Sequence, residues 1–475
     1  MGETPRHVHF VAVCGTGMGS LAGLVKARGV RVTGSDEGLY PPMSTQLEAW
    51  GIPVREGFRA ENVSDEAPDL VVIGNACRPD NPEARAAIDE GFRTLSFPDA
   101  LYELAMAGRH PVVITGTHGK TTTTTLVAYL LHATGRDPSF LIGGIALDFG
   151  TSFHEGSGEH FVVEGDEYDT AFFDKTPKFL HYHPRTLVVT SVEFDHADIY
   201  RDLEHVKEAF RKLVAGMPAD GRIVAALDHD CVRDVVRDAP CPVVGYGLSA
   251  GRELDWCADA IAVGGDATVF EVLRPGASPE RVELPMFGRF NVENALAALA
   301  TLDVLGVPLA ESAPALARFQ GVKRRQEERG EAGGVLVIDD FAHHPTAVRG
   351  SVEAARARYP ERRIVAVFEP RTNTSRRAIF QERYAEAFDA ADQVVIAEPP
   401  GGPIYSAFDE KGVALFSAEQ LAEDLRARGI PADSVAGVDA IVEHLASLCR
   451  PGDAVLVMSN GGFGNIWEKL LAALA

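Results

Sequence analysis

The chain has no apolar run approaching the roughly 18 uninterrupted residues that a membrane helix requires, so no spanning segment is expected. Met1 to His9 is polar, and the apolar run after it is short and breaks at Gly15, which does not resemble a secretory signal. A cytoplasmic protein is expected. Cysteine is sparse: the six (Cys14, Cys77, Cys231, Cys241, Cys257 and Cys449) include no CxxC pair, which argues against a disulfide frame or a zinc site. Cys14, beside a glycine loop, is read as a small buried side chain and not as a reactive thiol. Basic residues are also short, with 45 Lys and Arg against 68 Asp and Glu and a net charge of −23. That balance argues against a nucleic-acid backbone as partner. A small anionic substrate remains allowed, because a pocket can be locally basic inside an acidic protein. No low-complexity linker and no internal repeat is visible.

What is present is ordinary globular material, long enough at 475 residues for two to four domains. Strand and helix signals alternate in three blocks. The first contains Val8–Val13, a glycine-rich turn, a helix-like stretch from Ser20 to Arg28, then strands at Val30–Thr33 and Leu70–Ile73. The second has strands at Val112–Ile114, Phe161–Val163 and Leu187–Val189, and the third at Val335–Ile338, Ile364–Val367, Val394–Ile396 and Ala454–Val457. Continuous apolar strands between helices indicate parallel sheets buried on both faces. The expected class is therefore α/β, with domains at residues 1–108, 109–322 and 323–475. In such sheets ligands bind beyond the carboxyl ends of strands, and each block places its unusual polar residues there.

The segment from Val112 to Thr122 reads as a strand, a glycine turn and a helix opened by Lys-Thr. Its loop, Gly116-Thr117-His118-Gly119-Lys120-Thr121, lets backbone N–H groups close on phosphate oxygens, and the helix N-terminus adds positive potential. Lys120 would reach the outer phosphates and the Thr121 hydroxyl would hold Mg²⁺, with Thr122 following on the helix. The spacing is two residues shorter than the common loop of this kind. Two acidic clusters follow later strands: Glu164-Gly165-Asp166-Glu167, and Glu193-Phe194-Asp195-His196-Ala197-Asp198. A carboxylate at a strand end beside a phosphate loop is where a further Mg²⁺ ligand belongs, and His196 suits a metal or a phosphate.

The N-terminal turn Cys14-Gly15-Thr16-Gly17-Met18-Gly19-Ser20, with Ser35-Asp36 after the next strand and Asn75 after Leu70–Ile73, suits a pyrophosphate. NAD is one candidate for it, and a nucleotide-linked substrate is another. Asn291 and Asn294 stand three apart at a helix start, on one face. Asp339 and Asp340 precede Phe341-Ala342-His343-His344, where adjacent histidines point different ways and so do not suggest a shared ion.

Together these motifs resemble the Mur ligase family, whose members join amino acids or peptides to UDP-N-acetylmuramic acid. The loop at Gly116–Thr121, the Glu164 cluster, Asp195-His196, Asn291 with Asn294, Arg325 and Asp340 all fall in family order across the whole chain. The stretches Tyr40–Ser44, Asp166–Asp169 with Phe172–Lys175, Glu193–Asp198, Asp340–Thr346, Glu369–Thr374 and Met458–Gly464 are closer to members that recycle a murein tripeptide. The resemblance implies a Rossmann-like UDP-sugar domain, a central ATPase domain with a mostly parallel sheet, and a Rossmann-like C-terminal domain that closes over the site. It implies ATP and Mg²⁺, with UDP-N-acetylmuramate and the tripeptide L-Ala-γ-D-Glu-meso-diaminopimelate as partners. Lys120, Glu164 and His196 are the implied catalytic residues, and Thr121, Glu164 and His196 the metal ligands. Gly116, Thr117, His118, Gly119, Lys120, Thr121, Thr122, Asn294, Arg325 and Asp340 are the implied ATP contacts. Gly15, Thr16, Gly17, Met18, Gly19, Ser35, Asp36 and Asn75 are expected on the UDP-sugar. Arg371, Asn373, Ser459 and Asn460, which follow third-block strands, are expected on the incoming peptide.

Two positions depart from the family pattern. Phe290 stands where many members have His, and Arg211 stands where some have a carbamylated lysine, with Lys207 and Lys212 nearby but out of register. No such modification is expected. Two other readings remain open: a ligase adding L-alanine to the same nucleotide sugar, and a nucleotide-sugar sensor without turnover.

Overall fold

The computed structural model describes residues 4–39, 43–249, 254–401 and 414–475; Tyr40, Pro41 and Pro42 lie outside the described residues. The first sheet has five parallel strands, ordered Val54–Glu56, Arg31–Asp36, His7–Val11, Leu70–Ile73, Thr94–Ser96. The chain reverses direction of travel across this sheet between His7–Val11 and Leu70–Ile73, and a crevice opens at such a switch point beyond the strand ends. The turn before helix Thr16–Ala27 and the Gly74–Asn75 turn both lie there.

The second sheet has ten strands. Seven in its middle are parallel, in the order Trp256–Gly264, Val243–Gly247, Arg222–Ala226, Thr186–Val189, His110–Thr115, His160–Gly165, Ser139–Ala146. Antiparallel strands Ala267–Leu273 and Glu280–Leu284 extend one edge, and Thr151–His154 the other. The central strands are apolar between their polar ends because helices cover both faces. Helices Lys120–Ala133 and Arg289–Val304 pack together on one face and are buried along most of their length. Helix Leu203–Ala215 covers the other face with Val206, Ala209, Phe210, Leu213 and Val214, the spacing of a single helical stripe.

The third sheet runs Glu327–Ala332, Val335–Asp340, Asp453–Met458, Arg363–Phe368, Gln393–Ala397, Ala432–Val435, parallel except for the first pair. Apolar layers lie on both of its faces. The expected α/β class with three sheets is therefore what the chain forms. The antiparallel edge from residues 256 to 284 was not among the strands read from sequence. Trp256–Gly264 is buried only over its first three residues, so it carries no continuous apolar run.

The sheets meet through specific contacts. Ser20 and Ser152 share a hydroxyl hydrogen bond of 2.6 Å, and the Phe153 ring sits where a Cβ on Gly23 would lie, at 2.5 Å. Asp99 bonds His181 at 2.8 Å. On the other side, the Lys323 N–H donates to the Ile145 carbonyl at 3.0 Å, carrying the chain from the second sheet to the third.

Candidate active site

Strand register sets the centre of the site. Ile114 pairs with Glu164, Thr115 with Gly165, and Thr115 also with Val189, so three strand ends finish level with one another. The glycine loop leaves the middle strand and needs two left-handed turns, at Gly116 (φ 138°) and Gly119 (φ 81°). A Cβ at Gly116 would lie 2.1 Å from Thr190 Oγ1, and one at Gly119 2.4 Å from Asn294 Oδ1, so only glycine fits either place. Neighbouring strand-end residues fix the loop. The Thr190 hydroxyl donates to the His118 carbonyl at 2.5 Å, the His118 N–H to Ser191 Oγ at 2.8 Å, and the Glu193 N–H to Thr117 Oγ1 at 2.9 Å.

Lys120 opens the helix and folds back over the loop. Its ammonium donates to the Gly116 carbonyl and to Glu167 Oε2, each at 2.7 Å. Burial alone would lower its pKa, but the carboxylates of Glu167, Asp166 and Glu164 outweigh that and raise it, so the charge is secure. Glu167, 2% exposed, is held well below the usual range, at about 2, because Lys120 and His196 overcome the effect of its burial.

The Thr121 hydroxyl donates to Glu164 Oε2 at 3.1 Å, and the Gly143 N–H to Glu164 Oε1 at 2.6 Å. Burial, reinforced by Asp166, pushes the Glu164 carboxyl up to about 7. A hydroxyl and a carboxylate that makes no ion pair among the described residues are hard oxygen donors of the kind Mg²⁺ takes, so this pair fits the ion. His196 is placed differently from Glu164: its Nε2 lies 3.5 Å from Glu167 Oε1. Its burial is outweighed by Asp195 and Glu167, which raise its pKa to about 9. In the metal-free chain a protonated imidazole there is a hydrogen-bond donor, the form that suits the anion-binding role expected for His196.

Of the other expected ATP residues, Asn294 and Arg325 reach the same loop, and Asp340 stands behind Arg325. Asn294 accepts from the Thr123 hydroxyl at 3.2 Å and donates to Asn291 Oδ1 at 3.2 Å; the two asparagines share a face as expected. Arg325 is on the connection to the third sheet, between Arg324 and Gln326, both at positive φ. Its guanidinium donates to Thr121 Oγ1 at 3.3 Å, and Asp340 accepts from the Gln326 N–H at 3.0 Å. Phe290 packs beside Gly350, whose Cβ would lie 3.0 Å from the ring.

Of the residues expected on a peptide, Asn373 donates to Asp198 Oδ2 at 3.2 Å, and the adjacent Thr374 hydroxyl accepts from the Ala197 N–H at 3.1 Å. Arg371 is exposed and lies across Gly461. Ser459 is fully buried and bonded to Glu369, and the buried Asn460 Oδ1 has no hydrogen-bond partner. At the N-terminal turn, the Cys14 N–H donates to Asp36 Oδ2 at 2.8 Å, and the Cys14 thiol is pushed up to about 11 by burial and Asp36, which keeps it unreactive. Ser35 is buried with its hydroxyl on Glu83 Oε1, at 2.6 Å. Lys207 and Arg211 both pair with Asp234 and Glu204 on the outside of their helix.

Two acids gain roles that the sequence did not assign. Glu167 clamps Lys120 and His196. Glu193 joins the loop to the third sheet: it lies 3.5 Å from His118, and accepts from the Thr346 hydroxyl at 2.8 Å and Arg383 at 2.9 Å. His118, Glu193 and His344 each bring a possible ligand atom within 4.8 Å of the others. His344 spends both nitrogens on Thr346 and on the Phe194 carbonyl, which makes this group a clasp and not an ion site. Both acids stand within the clusters noticed in the sequence, but alternation ends with the strand and no longer tells which acid points inward.

Comparison with known proteins agrees with this geometry. Residues 7–109 match the Mur ligase family catalytic domain, 114–302 the Mur ligase middle domain, and 324–461 the Mur ligase glutamate ligase domain. The chain is 39% identical to the UDP-N-acetylmuramate--L-alanyl-gamma-D-glutamyl-meso-2,6-diaminoheptandioate ligase of Escherichia coli (strain K12), over 98% of both chains. It is 37% identical to the UDP-N-acetylmuramate--L-alanine ligase of Sorangium cellulosum (strain So ce56), over 99% of this chain and 96% of that one. The crystal structure of a murein peptide ligase from Psychrobacter arcticus 273-4 superposes with a TM-score of 0.75 at 36% identity, covering 99% of this chain and 98% of that one. With its three sheets, its glycine loop and all three family domains in order, the chain belongs to the Mur ligase family.

Proposed function

We propose that the chain is an ATP-dependent ligase joining L-Ala-γ-D-Glu-meso-diaminopimelate to UDP-N-acetylmuramate through an acyl phosphate, in the reuse of cell-wall peptides. The observation that carries this reading is the convergence on one loop of Lys120, Thr121 and Glu164 from the second sheet, Asn294 from its covering helix, and Arg325, whose neighbour Gln326 is held by Asp340, from the third-sheet side. The reading takes residues 1–108 as the nucleotide-sugar domain, 109–322 as the ATP domain and 323–475 as the closing domain. It also takes the N-terminal glycine turn with Asp36 and Asn75 as the diphosphate cradle. Among the described residues no helix is long and apolar enough to cross a membrane, and the reading places the enzyme in the cytoplasm, where ATP and nucleotide sugars occur.

In the mechanism, a lactyl carboxylate oxygen attacks the γ-phosphorus of ATP and ADP leaves. The peptide amine then attacks the acyl carbon, and phosphate departs carrying that oxygen. No enzyme nucleophile is required, so the chain's work is positioning and charge stabilisation. Lys120 neutralises the outer phosphates, and the N–H groups at the start of helix Lys120–Ala133 line their path. Thr121 and Glu164 would hold Mg²⁺, which supplies positive charge against the phosphates when bound. Protonated His196 donates a hydrogen bond to the acyl phosphate. Arg325 and Asp340 contact the nucleotide from the third-sheet side.

The choice of amine rests on the third domain. Arg371 is exposed and has no ion-pair partner among the described residues, and it lies beside Asn373 and the Ser459–Gly464 turn. A tripeptide brings carboxylates beyond its amine end for such a guanidinium, whereas L-alanine brings one beside its amine. With ATP and UDP-N-acetylmuramate, the tripeptide should support phosphate release and L-alanine alone should not. Turnover with L-alanine alone would overturn the choice of amine.

A further inference from the structure

The chain passes from the second sheet to the third through residues 321–327, of which the mechanism uses Arg325 alone. The near end is tied to the second sheet: Val322 bridges Ala146, and the Lys323 N–H donates to the Ile145 carbonyl. The two residues flanking Arg325 then take left-handed conformations, Arg324 at φ 61° and Gln326 at φ 56°. A residue other than glycine persists there only where its surroundings fix it.

Arg324 is fixed by the third domain. Its Nε donates to Asp339 Oδ2 at 3.0 Å and its Nη2 to the Ser459 carbonyl at 2.9 Å, while its backbone N–H donates to Glu327 Oε2 at 2.9 Å. Its guanidinium carbon lies 4.9 Å from the centroid of the Trp467 ring and 5.3 Å from that of Phe341. Asp339 is fully buried, and a planar fork shared among a buried carboxylate, a carbonyl and two rings is confined to one orientation. Gln326 is held by the same strand end, through its N–H on Asp340 Oδ2 at 3.0 Å.

Arg325, between them, reaches back across the junction. Its Nη2 donates to Thr121 Oγ1 at 3.3 Å, and its guanidinium carbon lies 5.1 Å from the centroid of the Phe341 ring. That ring therefore receives two guanidinium groups, one fastened to the third sheet and one directed at the glycine loop. A long side chain loses much rotamer freedom when it is held, and a backbone fixed on both sides of it reduces what is lost on binding.

We infer that Arg324 is a positioning residue for the ligase reaction: it bolts the junction to the third sheet and so aims Arg325 at the nucleotide. The inference rests on the proposed function, in which Arg325 contacts ATP. It makes Arg325 a working part of the third domain, although the residue stands where the second one ends.

The test is a double-mutant cycle, read by calorimetric titration of the full chain with adenylyl imidodiphosphate and Mg²⁺. Arg324→Asn removes the guanidinium and keeps a residue that tolerates the left-handed backbone. It should weaken binding of the analogue about 5- to 30-fold, the loss of one preorganised charge-assisted contact. In an Arg325→Ala background the same substitution should cost less than about twofold, because no guanidinium is left to aim. Arg324→Lys keeps the charge but neither the fork nor the ring stacking, so it should recover only part of the loss. UDP-N-acetylmuramate, titrated alongside, should bind every variant within about twofold of wild type, which shows that each is folded. Arg324→Lys replaces the asparagine variant in both backgrounds if asparagine fails that check. Equal losses with and without Arg325, no loss at all, or full recovery by lysine would overturn the inference. A matching fall in UDP-N-acetylmuramate affinity in both Arg324 variants would also overturn it, by making Arg324 a support of the fold as a whole. Failure of the wild-type protein to bind the ATP analogue would instead count against the proposed function.

Discussion

Burial alone would make His196 a weaker base than free imidazole, but Asp195 and Glu167 reverse that and raise its pKa to about 9. The pairing therefore stabilises the metal-free fold fully below the ordinary histidine pKa of about 6.5, and the contribution is lost as pH rises through about 9. His196→Gln should accordingly lower the melting temperature most near pH 6, with the gap to wild type closing above pH 9. Melting curves of both proteins across that range, with chelator present, check this; a gap independent of pH would contradict it. The Glu164 pKa also rises, to about 7, but there burial is the cause and works toward the neutral form, whereas in His196 it is overcome by neighbouring carboxylates. At this scale the sequence was partly legible. Lys120 and Thr121 declare themselves because loop spacing and helix start constrain them together. Ser35 looked available to a ligand, yet Glu83, 48 residues away, engages it, and only the fold brings those two together.

Among the elements, the glycine loop is the one most tightly specified by its neighbours. Gly119 combines a left-handed φ of 81° with the Asn294 carboxamide 2.4 Å from where a Cβ would be. Gly119→Ala should cost about 1–3 kcal/mol of stability and sharply weaken ATP binding while leaving UDP-sugar affinity unchanged. Denaturant melts and paired titrations would show it, and an alanine variant with normal ATP affinity would refute this account of the loop. The parallel strands were readable because burial under helices on both faces requires an unbroken apolar run between their polar ends, as Val335–Asp340 and His110–Thr115 illustrate. Helix Leu203–Ala215 carries a clear stripe but was not singled out, and the edge strands from residues 256 to 284 alternate too irregularly to be recognised. Their signal is weak because solvent, and not a second layer, faces much of their surface.

Over the whole molecule, the third sheet is fastened to the Glu193–Asp198 segment beside the glycine loop by a few polar contacts. Glu193 gathers Arg383 and Thr346, Asp198 accepts from Asn373, and Thr374 caps the Ala197 N–H. Such contacts are weak one at a time, and together they select one domain arrangement. Exchanging Arg383 and Thr346 for alanine and valine should enlarge the radius of gyration in small-angle scattering and lower kcat several-fold, with little change in UDP-sugar affinity. An unchanged radius with lowered kcat would mean that the clasp acts locally on His118 and not through closure. None of these pairings was visible in the sequence, since each joins residues more than 150 positions apart. The family order of motifs indicated that the domains meet at one loop, and the structure supplies the side chains by which they do so.

The central claim is that the loop bearing Lys120 transfers the γ-phosphoryl group of ATP to the muramate carboxylate. It is tested most directly with UDP-N-acetylmuramate labelled with ¹⁸O in that carboxylate, by following the label into inorganic phosphate during turnover with the tripeptide. The account predicts one labelled oxygen in each phosphate released by the wild-type enzyme, and no labelled phosphate above background from Lys120→Ala. Unlabelled phosphate formed alongside ligated product would contradict it.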